Sequence, residues 1–416
     1  MSFGRGKGGP DRTPRVKPVE RIELPDRFPR RRLVAVVLLV LLAVTAFAFG
    51  VRSCLARQTG WQTIEGAGSD LSCRADFVLQ YNIGADGADA NAEYRALTNL
   101  WSEITVTAYR LFSADVAPEG TINPAVLNAH PNEVLTVDGA LYAALLSLEE
   151  TGSRLPYLGI LYAYADSLFA AADDVQASYY DPYVNDTMRA FAGKIAAYAQ
   201  SEADVRLELL GENRVRLAVS DAYLQFAREE GVDRFFDFGW LKNAFVCDYL
   251  AGRLSDAGYT NGTVTSLDGF TRTLSEGEFG AHIFRLEGNT ASRAGSFTYT
   301  GPMALCELRA FPVGAQEAGR FYLTKDGAIR SGYLALSDGL CRTALPSLTV
   351  YAQNGRCADL AMAASRVYIG ASFDEAALLS LCRRAGYACV FCQDGCVYYT
   401  QEGLPLSDLA CEAVQR

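Results

Sequence analysis

The sequence predicts an α+β domain that follows a single membrane-spanning helix. Two observations predict this class. One uncharged apolar run lies near the amino end, and helical and strand patterns then alternate over the rest of the chain. The chain shows no internal repeat, so the mixed patterns indicate an α+β domain rather than a repeat array.

The apolar run covers residues 33–51 and contains no charged side chain. At about 1.5 Å rise per residue, a helix of this length spans roughly 28 Å, close to the thickness of a hydrocarbon core. A cleaved signal peptide is the alternative, but its apolar region is usually shorter, roughly 7 to 15 residues. We therefore expect an uncleaved transmembrane helix that contacts the lipid bilayer through residues 33–51.

The charges that flank this helix predict its orientation. Residues 1–32 carry ten Lys or Arg and four Asp or Glu, and three consecutive arginines adjoin the apolar run. The positive-inside rule makes residues 1–32 a basic cytoplasmic tail, residues 52–72 a linker and residues 73–416 an extracytoplasmic domain. The whole chain has a net charge of −10 and residues 1–32 carry +6, so the residues beyond 32 carry −16. Because that part has no basic stripe, we expect no nucleic-acid partner.

Apolar residues at helical spacing predict seven helices in the outer domain. They cover residues 90–112, 139–150, 157–171, 185–201, 239–255, 357–368 and 373–385. Alternating residues on both sides of Gly211-Glu212-Asn213 predict a β-hairpin, and strands rich in Gly, Thr and Tyr dominate residues 262–351. A second hairpin turns at Asp394-Gly395 near the carboxyl end.

Eleven cysteines in an exported domain raise the question of disulfides. Cys389 and Cys392 are three residues apart on a predicted strand, so they face opposite sides and cannot share a metal. Cys392 and Cys396 flank the turn of the last hairpin and are the best disulfide candidates. Buried free thiols are an equal alternative.

Histidine-dependent chemistry has little support, because the chain contains only His130 and His282. Neither belongs to an HExxH motif, and no convincing Ser-His-Asp triad can be built from them. Any catalysis must therefore depend on carboxylates, backbone groups or a metal with oxygen ligands.

Three carboxylates stand at positions of interest. Asp237 precedes a predicted helix start and suits an N-cap. Asp248 shares the apolar stripe of that helix, where it is either functional or at a solvated edge. Asp359 lies where a strand runs into a helix, so it either complements the helix dipole or holds Mg²⁺ beside a phosphate.

Four segments together resemble one known family. They are Leu111-Phe112-Ser113 with Val137-Asp138-Gly139-Ala140-Leu141-Tyr142, the run from Asp237 to Tyr259, the run from Ser347 to Ser365, and the run from Glu375 to Leu404. Their order and spacing resemble the ApbE-type flavin transferases, which move FMN from FAD onto a Thr of a target protein. The resemblance covers residues 73–406 and implies a T-fold-like flavin transferase domain.

The resemblance also implies an activity and a set of site residues. FAD is the expected substrate, Mg²⁺ the cofactor, and an exported redox protein the acceptor of FMN. Asp359 and the backbone of Lys242 are the implied metal ligands, Lys242 is also the implied catalytic residue, and the implied FAD contacts are Asp237, Gly239, Asn243 and Asp248.

Several departures from the family pattern lead to a second hypothesis, and two of them fall at the implied Lys and Thr positions of the site. Asn243 stands where the family has Lys, and Ala363 stands where it has a metal-binding Thr. The chain is therefore either a membrane-anchored transferase or an inactive relative that binds a flavin or a protein outside the cytoplasm. The transfer reaction requires Asp359 and the helix after Gly239 to meet at one oxygen-lined pocket that can hold a cation against a diphosphate.

Overall fold

The computed structural model of the chain describes residues 29–55, 58–68 and 71–416. It divides into two compact units, Met1–Arg57 and Gln58–Arg416. The first unit contains helix α1 (Pro29–Leu55). Within the described residues, no helix has both the length and the apolar character needed to cross a bilayer. Most of the predicted basic tail, residues 1–28, lies outside the described part of the chain.

The second unit contains all seven predicted helices. Its helices are α2 (Ala90–Phe112), α3 (Pro124–Ala129), α4 (Gly139–Thr151), α5 (Gly159–Phe169), α6 (Asp174–Ala177), α7 (Asp186–Gln200), α8 (Asp221–Glu230), α9 (Lys242–Asp256), α10 (Cys357–Tyr368) and α11 (Glu375–Ala385). The short helices α3 and α6 and the longer α8 were not predicted. A 3₁₀ turn, Gly239–Leu241, leads into α9 and takes up the first three residues of that predicted helix.

The strands form one large sheet and two small ones. They are β1 (Gly60–Ile64), β2 (Phe77–Ile83), β3 (Val134–Thr136), β4 (Val205–Leu209), β5 (Arg214–Val219), β6 (Gly262–Ser266), β7 (Phe270–Glu287), β8 (Thr290–Arg309), β9 (Phe321–Leu323), β10 (Ile329–Ser331), β11 (Ser347–Gln353), β12 (Ala388–Gln393), β13 (Cys396–Tyr399), β14 (Leu406–Ser407) and β15 (Ala413–Gln415). The ten-stranded sheet has the order β1-β2-β6-β7-β8-β11-β12-β13-β15, with β14 against β8.

Strand β1 corrects the predicted linker. It lies inside residues 52–72 and pairs along its whole length with β2, from Gly60 opposite Ile83 to Ile64 opposite Leu79. Its side chains alternate between exposed and more buried positions, as a half-buried edge strand requires. The second unit therefore begins at Gln58, before the predicted boundary at residue 73.

Apolar cores lie on both faces of the large sheet. Helices α2, α9 and α10 contribute to the larger core, together with Cys306, Val350 and Cys389 of the sheet. The adjacent residues Leu305 and Tyr351 point to a smaller core on the opposite face. This alternation is the two-residue period of strands that are buried on both faces.

The last hairpin confirms one cysteine prediction and overturns another. Cys389 belongs to the larger core and Cys392 to the smaller one, so they do face opposite sides. Gln393, however, pairs with Cys396, and Cys392 pairs with Val397. The turn is the two-residue Asp394-Gly395, with both φ angles positive, so Cys392 and Cys396 do not lie opposite each other. The ten cysteines from Cys73 to Cys411 are free thiols.

Candidate binding site

A cavity of about 160 Å³ lies beside the start of α9 and is lined by α5, the Gly239 turn and strands β9 and β10. Four of the predicted site residues line it, namely Asp237, Gly239, Lys242 and Asn243. Its aromatic walls are Tyr162, Phe169, Trp240, Phe270, Phe321 and Tyr333. Neither histidine is among the described residues that line this cavity.

The turn at Gly239 brings its neighbours to the cavity. Gly239 has a φ of +56°, and a Cβ at this position would overlap the ring of Tyr162. The Gly239 N–H donates to Oδ1 of Asp237 at 2.9 Å. Asp237 thus stabilises the turn before α9. The predicted N-cap role is wrong, because neither Gly239–Leu241 nor α9 has a side-chain cap.

Arg234 pairs with two carboxylates at this site. It donates to Oδ2 of Asp237 at 3.1 Å and also forms an ion pair with Asp115. Asp237 is only 7% exposed. Burial raises the pKa of Asp237, while the Gly239 N–H and the charges of Arg234 and Lys242 oppose that rise.

Asp166 and Lys242 are the charged groups of the cavity wall that form no ion pair within the described part of the chain. Desolvation, helped by the nearby charges of Asp237 and Asp115, raises the pKa of Asp166 to about 6. Lys242 and Arg234 act in the opposite direction. The surroundings of Asp166 therefore favour its protonated form more than water does.

On the other side of the cavity, Asn243 belongs to a charged network. Its side-chain N–H donates to Asp268 at 3.0 Å. Arg320 donates to the same carboxylate and to Asp76, each at 2.8 Å. Asn243 is 2% exposed, so its amide is a fixed part of the wall rather than a mobile ligand contact.

Asp248 does not line the cavity. It points from the other side of α9 toward α10, where it pairs with Arg272 at 2.6 Å. Its two oxygens also accept the backbone N–H groups of Cys357 and Ala358, each at 2.9 Å. The apolar stripe of α9 therefore carries a carboxylate that is fully satisfied by structural partners, and the predicted FAD contact is misplaced.

Asp359, the metal ligand that the resemblance implies, contacts helix α4. Its Oδ1 accepts a hydrogen bond from Ser147 of α4 at 3.2 Å, and it is not among the described residues that line the cavity. The helix α10 contacts α9, but Asp359 faces α4 instead. In the described part of the chain Asp359 and Lys242 do not line the same cavity, and a metal site formed by the two stays a prediction.

The carboxylates of the described cavity wall are poorly suited to Mg²⁺, the cofactor that the family resemblance implies. Four of the five cavity carboxylates, Asp115, Asp237, Asp268 and Glu317, already pair with arginines, which leaves Asp166 alone. Nowhere in the described ranges do three or more His, Cys, Asp or Glu residues group as a metal site would require. Mg²⁺ prefers carboxylates that are free of competing cations, and the described cavity wall offers one, Asp166.

Sequence reasoning missed Asp115, Asp166 and Arg320 as cavity residues. Asp166 lies on a helix that the sequence predicted, but its neighbours in space come from distant segments. Asp115 closely follows Leu111-Phe112-Ser113, the first segment of the family resemblance. This closeness could have identified Asp115 as a site residue. Arg320 lies in a 3₁₀ segment, Ala315–Arg320, that has no recognisable pattern.

Comparison with solved structures establishes the fold. The ApbE protein of Thermotoga maritima matches with a TM-score of 0.53 and 14% identity over 85% of this chain and 97% of its own. The flavin transferase ApbE of Vibrio cholerae matches with a TM-score of 0.52 and 12% identity, over 85% of this chain and 98% of its own. A point mutant of the same Vibrio cholerae protein matches with a TM-score of 0.51 and 13% identity, over 85% of this chain and 98% of its own.

This chain therefore has the fold of the ApbE flavin transferases, as a divergent version of it. The expected α+β domain is confirmed, and the likeness covers nearly all of each solved chain. No protein-family model matches the sequence, and no curated protein matches it. At these identities the comparisons describe the fold, and the chemistry of the site must be argued from its own residues.

Proposed function

We propose that this protein is a membrane-anchored ligand-binding module that uses the cavity beside Lys242 to bind the ring of a flavin, without transferring FMN. One observation carries the proposal. Asp359, the implied metal ligand, is hydrogen-bonded to Ser147 of α4 and is not part of the cavity wall. Without Asp359 in the described cavity wall, this arrangement supports ligand binding rather than Mg²⁺-dependent transfer.

The size and chemistry of the cavity support a ring as the ligand. At about 160 Å³ the cavity is smaller than drug-sized sites, which are roughly 300–1,000 Å³. It can therefore enclose part of a dinucleotide but not all of it. Trp240 and Tyr333 form an edge-to-face pair in its wall, with ring centroids 5.1 Å apart. Aromatic faces of this kind suit a planar heterocycle.

Lys242 supports the binding of a ligand that carries a phosphate. Its ammonium has no ion-pair partner among the described residues, whereas both arginines of the cavity wall are paired. A phosphate attached to the bound ring can reach this free cation without breaking an existing ion pair. The proposed ligands are thus FMN or the flavin half of FAD.

The anchor is part of the proposal and depends on the sequence. The uncharged run of residues 33–51 and the basic tail before it support a single-pass protein whose domain lies outside the cytoplasm. Cell fractionation tests this directly. We expect the full chain in the membrane pellet and a chain without residues 1–57 in the supernatant, whereas equal partition of the two would contradict an anchor.

Flavin titration of the full-length protein in detergent tests the binding function. FMN should quench the fluorescence of Trp240, and chelation of divalent metal with EDTA should leave the affinity unchanged. Trp240→Phe is the control, because it removes the reporter but keeps an aromatic wall; equilibrium dialysis should still detect the flavin. Absence of flavin binding by both methods would contradict the proposal.

The transferase remains the second candidate because the fold supports it and because Asp237, Gly239, Lys242 and Asn243 do share one cavity. It predicts that FAD, Mg²⁺ and a Thr-containing acceptor yield a covalently flavinylated acceptor and AMP. It further predicts that Asp359→Asn abolishes AMP release. On our proposal no AMP appears, and Asp359→Asn binds FMN as the wild-type protein does.

A further inference from the structure

A second and larger cavity lies on the face of the large sheet opposite α2, α9 and α10. Its volume is about 610 Å³, within the range of roughly 300–1,000 Å³ that is usual for sites of small-molecule ligands. Among the described residues, it shares Arg309 and Glu317 with the cavity beside Lys242. The predicted site residues are not among the described residues that line it, so it is a separate site.

The floor of the second cavity is a polar part of the sheet face. Thr265 of β6 pairs with Thr271 of β7, and their hydroxyl groups form a hydrogen bond at 3.3 Å. Glu307 of β8 pairs with Thr349 of β11. All four side chains line the cavity, on the same face as Leu305 of the smaller core. A row of hydroxyl groups with one carboxylate therefore faces the ligand space.

The roof of the second cavity is the outer part of the β7–β8 hairpin. Phe284 pairs with Arg293, whereas Ser347 pairs with Arg309, which lies sixteen positions further along β8. In a flat sheet that separation is roughly 50 Å. The Ser347 hydroxyl nevertheless donates to the carbonyl oxygen of Phe284 at 2.6 Å. The hairpin therefore folds back, and residues 277–285, here called the arm, cover the floor.

Aromatic rings form one wall of the second cavity. Trp61 of β1 is 53% exposed and meets Phe279 of the arm edge to face, with ring centroids 6.0 Å apart. Phe279 also stacks on Tyr299 of β8, with centroids 5.9 Å apart. The indole of Trp61 is thus held by a neighbouring ring and remains open to a ligand. Such a face attracts cations and packs against alkyl chains.

The charges of this cavity do not balance. Within the described residues, its wall contains the carboxylates of Glu278, Glu307 and Glu317 but a single guanidinium, that of Arg309. Arg309 donates to the two oxygens of Glu317 at 2.9 and 3.2 Å. Its Nε lies 3.3 Å from Glu307 but forms no hydrogen bond. Three negative charges and one positive charge leave a net charge of −2.

Neighbouring groups do not remove this excess. Burial lowers the pKa of His282, and the charge of Arg293 lowers it further, so the imidazole in the cavity wall is neutral at pH 7. Burial raises the pKa of Glu307, although the guanidinium of Arg309 opposes that rise. The charge of Glu317 raises it again. A bound cation would offset the cost of this buried negative charge.

We propose that the second cavity binds an aliphatic diamine or polyamine. One ammonium group donates to Glu307 and to the hydroxyl of Thr349, and a second pairs with Glu278 on the arm. The alkyl chain between them packs against the indole of Trp61. A neutral sugar would satisfy the hydroxyl groups but leave the negative charge in place, and an anion would add to it. The proposal does not depend on flavin binding, because it concerns a different cavity.

Calorimetric titration of the full-length protein in a neutral detergent tests the proposal. The probe is putrescine, which has two ammonium groups on a four-carbon chain, at pH 7.5. The control is 1,4-butanediol, which has the same chain and no charge. We expect saturable binding of putrescine at one site, and binding of butanediol that is at least tenfold weaker.

Matched variants locate the bound diamine. Glu307→Gln should lower the affinity for putrescine about tenfold, because it removes the charge and leaves Arg309 paired with Glu317. Trp61→Ala should lower it about threefold. Glu276→Gln is the control: it removes the same charge at an exposed position of β7 that is not among the described lining residues, and it should change nothing.

Three results would overturn the proposal. One is the absence of saturable putrescine binding, and another is binding of butanediol as tight as that of putrescine. The third is an equal loss of affinity in Glu307→Gln and Glu276→Gln, which would indicate a general attraction to an acidic surface. Should circular dichroism show that Glu307→Gln does not fold, Glu278→Gln at its exposed position replaces it and should lower the affinity severalfold.

Discussion

Asp248 of α9 accepts a hydrogen bond at 2.9 Å from the backbone N–H of Cys357, the first residue of α10. Its other oxygen accepts the N–H of Ala358, also at 2.9 Å. The residue before α10, Arg356, makes no side-chain cap. A carboxylate on one helix therefore satisfies the amino end of the next, where the exposed N–H groups and the helix dipole favour negative charge.

Removal of this carboxylate should destabilise the domain strongly. Asp248→Ala leaves Arg272 and two helix N–H groups buried without a partner, and we expect a loss of about 3–5 kcal/mol in the free energy of unfolding. Urea denaturation followed by circular dichroism measures it. Asp256→Ala, at an exposed position on the same helix, is the control and should change stability by less than about 0.5 kcal/mol.

The sequence predicted elements well where a periodic pattern coincides with the true packing. Both α2 and α10 begin and end at the predicted residues, because their apolar faces are continuous and pack on the sheet. Helix α8 was missed because it is short and half of its residues are polar, and only Tyr223 and Ala227 are buried. Its stability comes from packing partners that no local pattern reveals.

The site was predicted in part for a similar reason. Asp237, Gly239, Lys242 and Asn243 are close in sequence, so one turn brings them together, and the sequence found them. Asp359 is distant in sequence from these four residues. The direction in which its side chain points depends on how α10 is rotated about its own axis. Successive helical residues point about 100° apart, so a correct alignment along the chain does not fix which neighbour a side chain meets.

The Gly239 turn should tolerate no side chain. In Gly239→Ala the new Cβ overlaps the Tyr162 ring and the backbone keeps a positive φ, so we expect a loss of roughly 2–4 kcal/mol and of flavin binding. Gly258→Ala is the matched control: it shares the positive φ but has no atom within 4 Å, so it should cost only about 1 kcal/mol. Urea denaturation and FMN titration measure both. Equal losses in the two variants would contradict a close contact with Tyr162.

Asp166 should make stability depend on pH. A carboxyl whose pKa rises from about 4 in the unfolded chain to about 6 on folding binds its proton more tightly when folded. The folded state is therefore penalised as pH rises from 4 to 6, and the penalty stays constant above that range. Because Asp166 is solvent-exposed, we expect Asp166→Asn to stabilise the protein at pH 7 by only about 1 kcal/mol.

The stabilising effect of Asp166→Asn should disappear below about pH 4, where the wild-type carboxyl is protonated in both states. Thermal unfolding from pH 4 to pH 8 measures this difference. Glu150→Gln, at an exposed position on α4, is the control and should follow the wild-type curve in parallel. A stabilisation by Asp166→Asn that is equal at pH 4 and pH 7 would contradict the raised pKa.

Lys242 should distinguish phosphorylated from unphosphorylated flavins. Lys242→Met keeps the length of the side chain but removes the cavity cation that has no ion pair in the described part of the protein. We expect FMN affinity to fall about tenfold, which corresponds to about 1.4 kcal/mol, while riboflavin affinity stays the same. Quenching of Trp240 measures both.

Lys325→Met, at a side chain that is 84% exposed and far along the sequence, should bind both flavins as the wild-type protein does. An equal loss for riboflavin and FMN would show that Lys242 shapes the cavity rather than binding a phosphate.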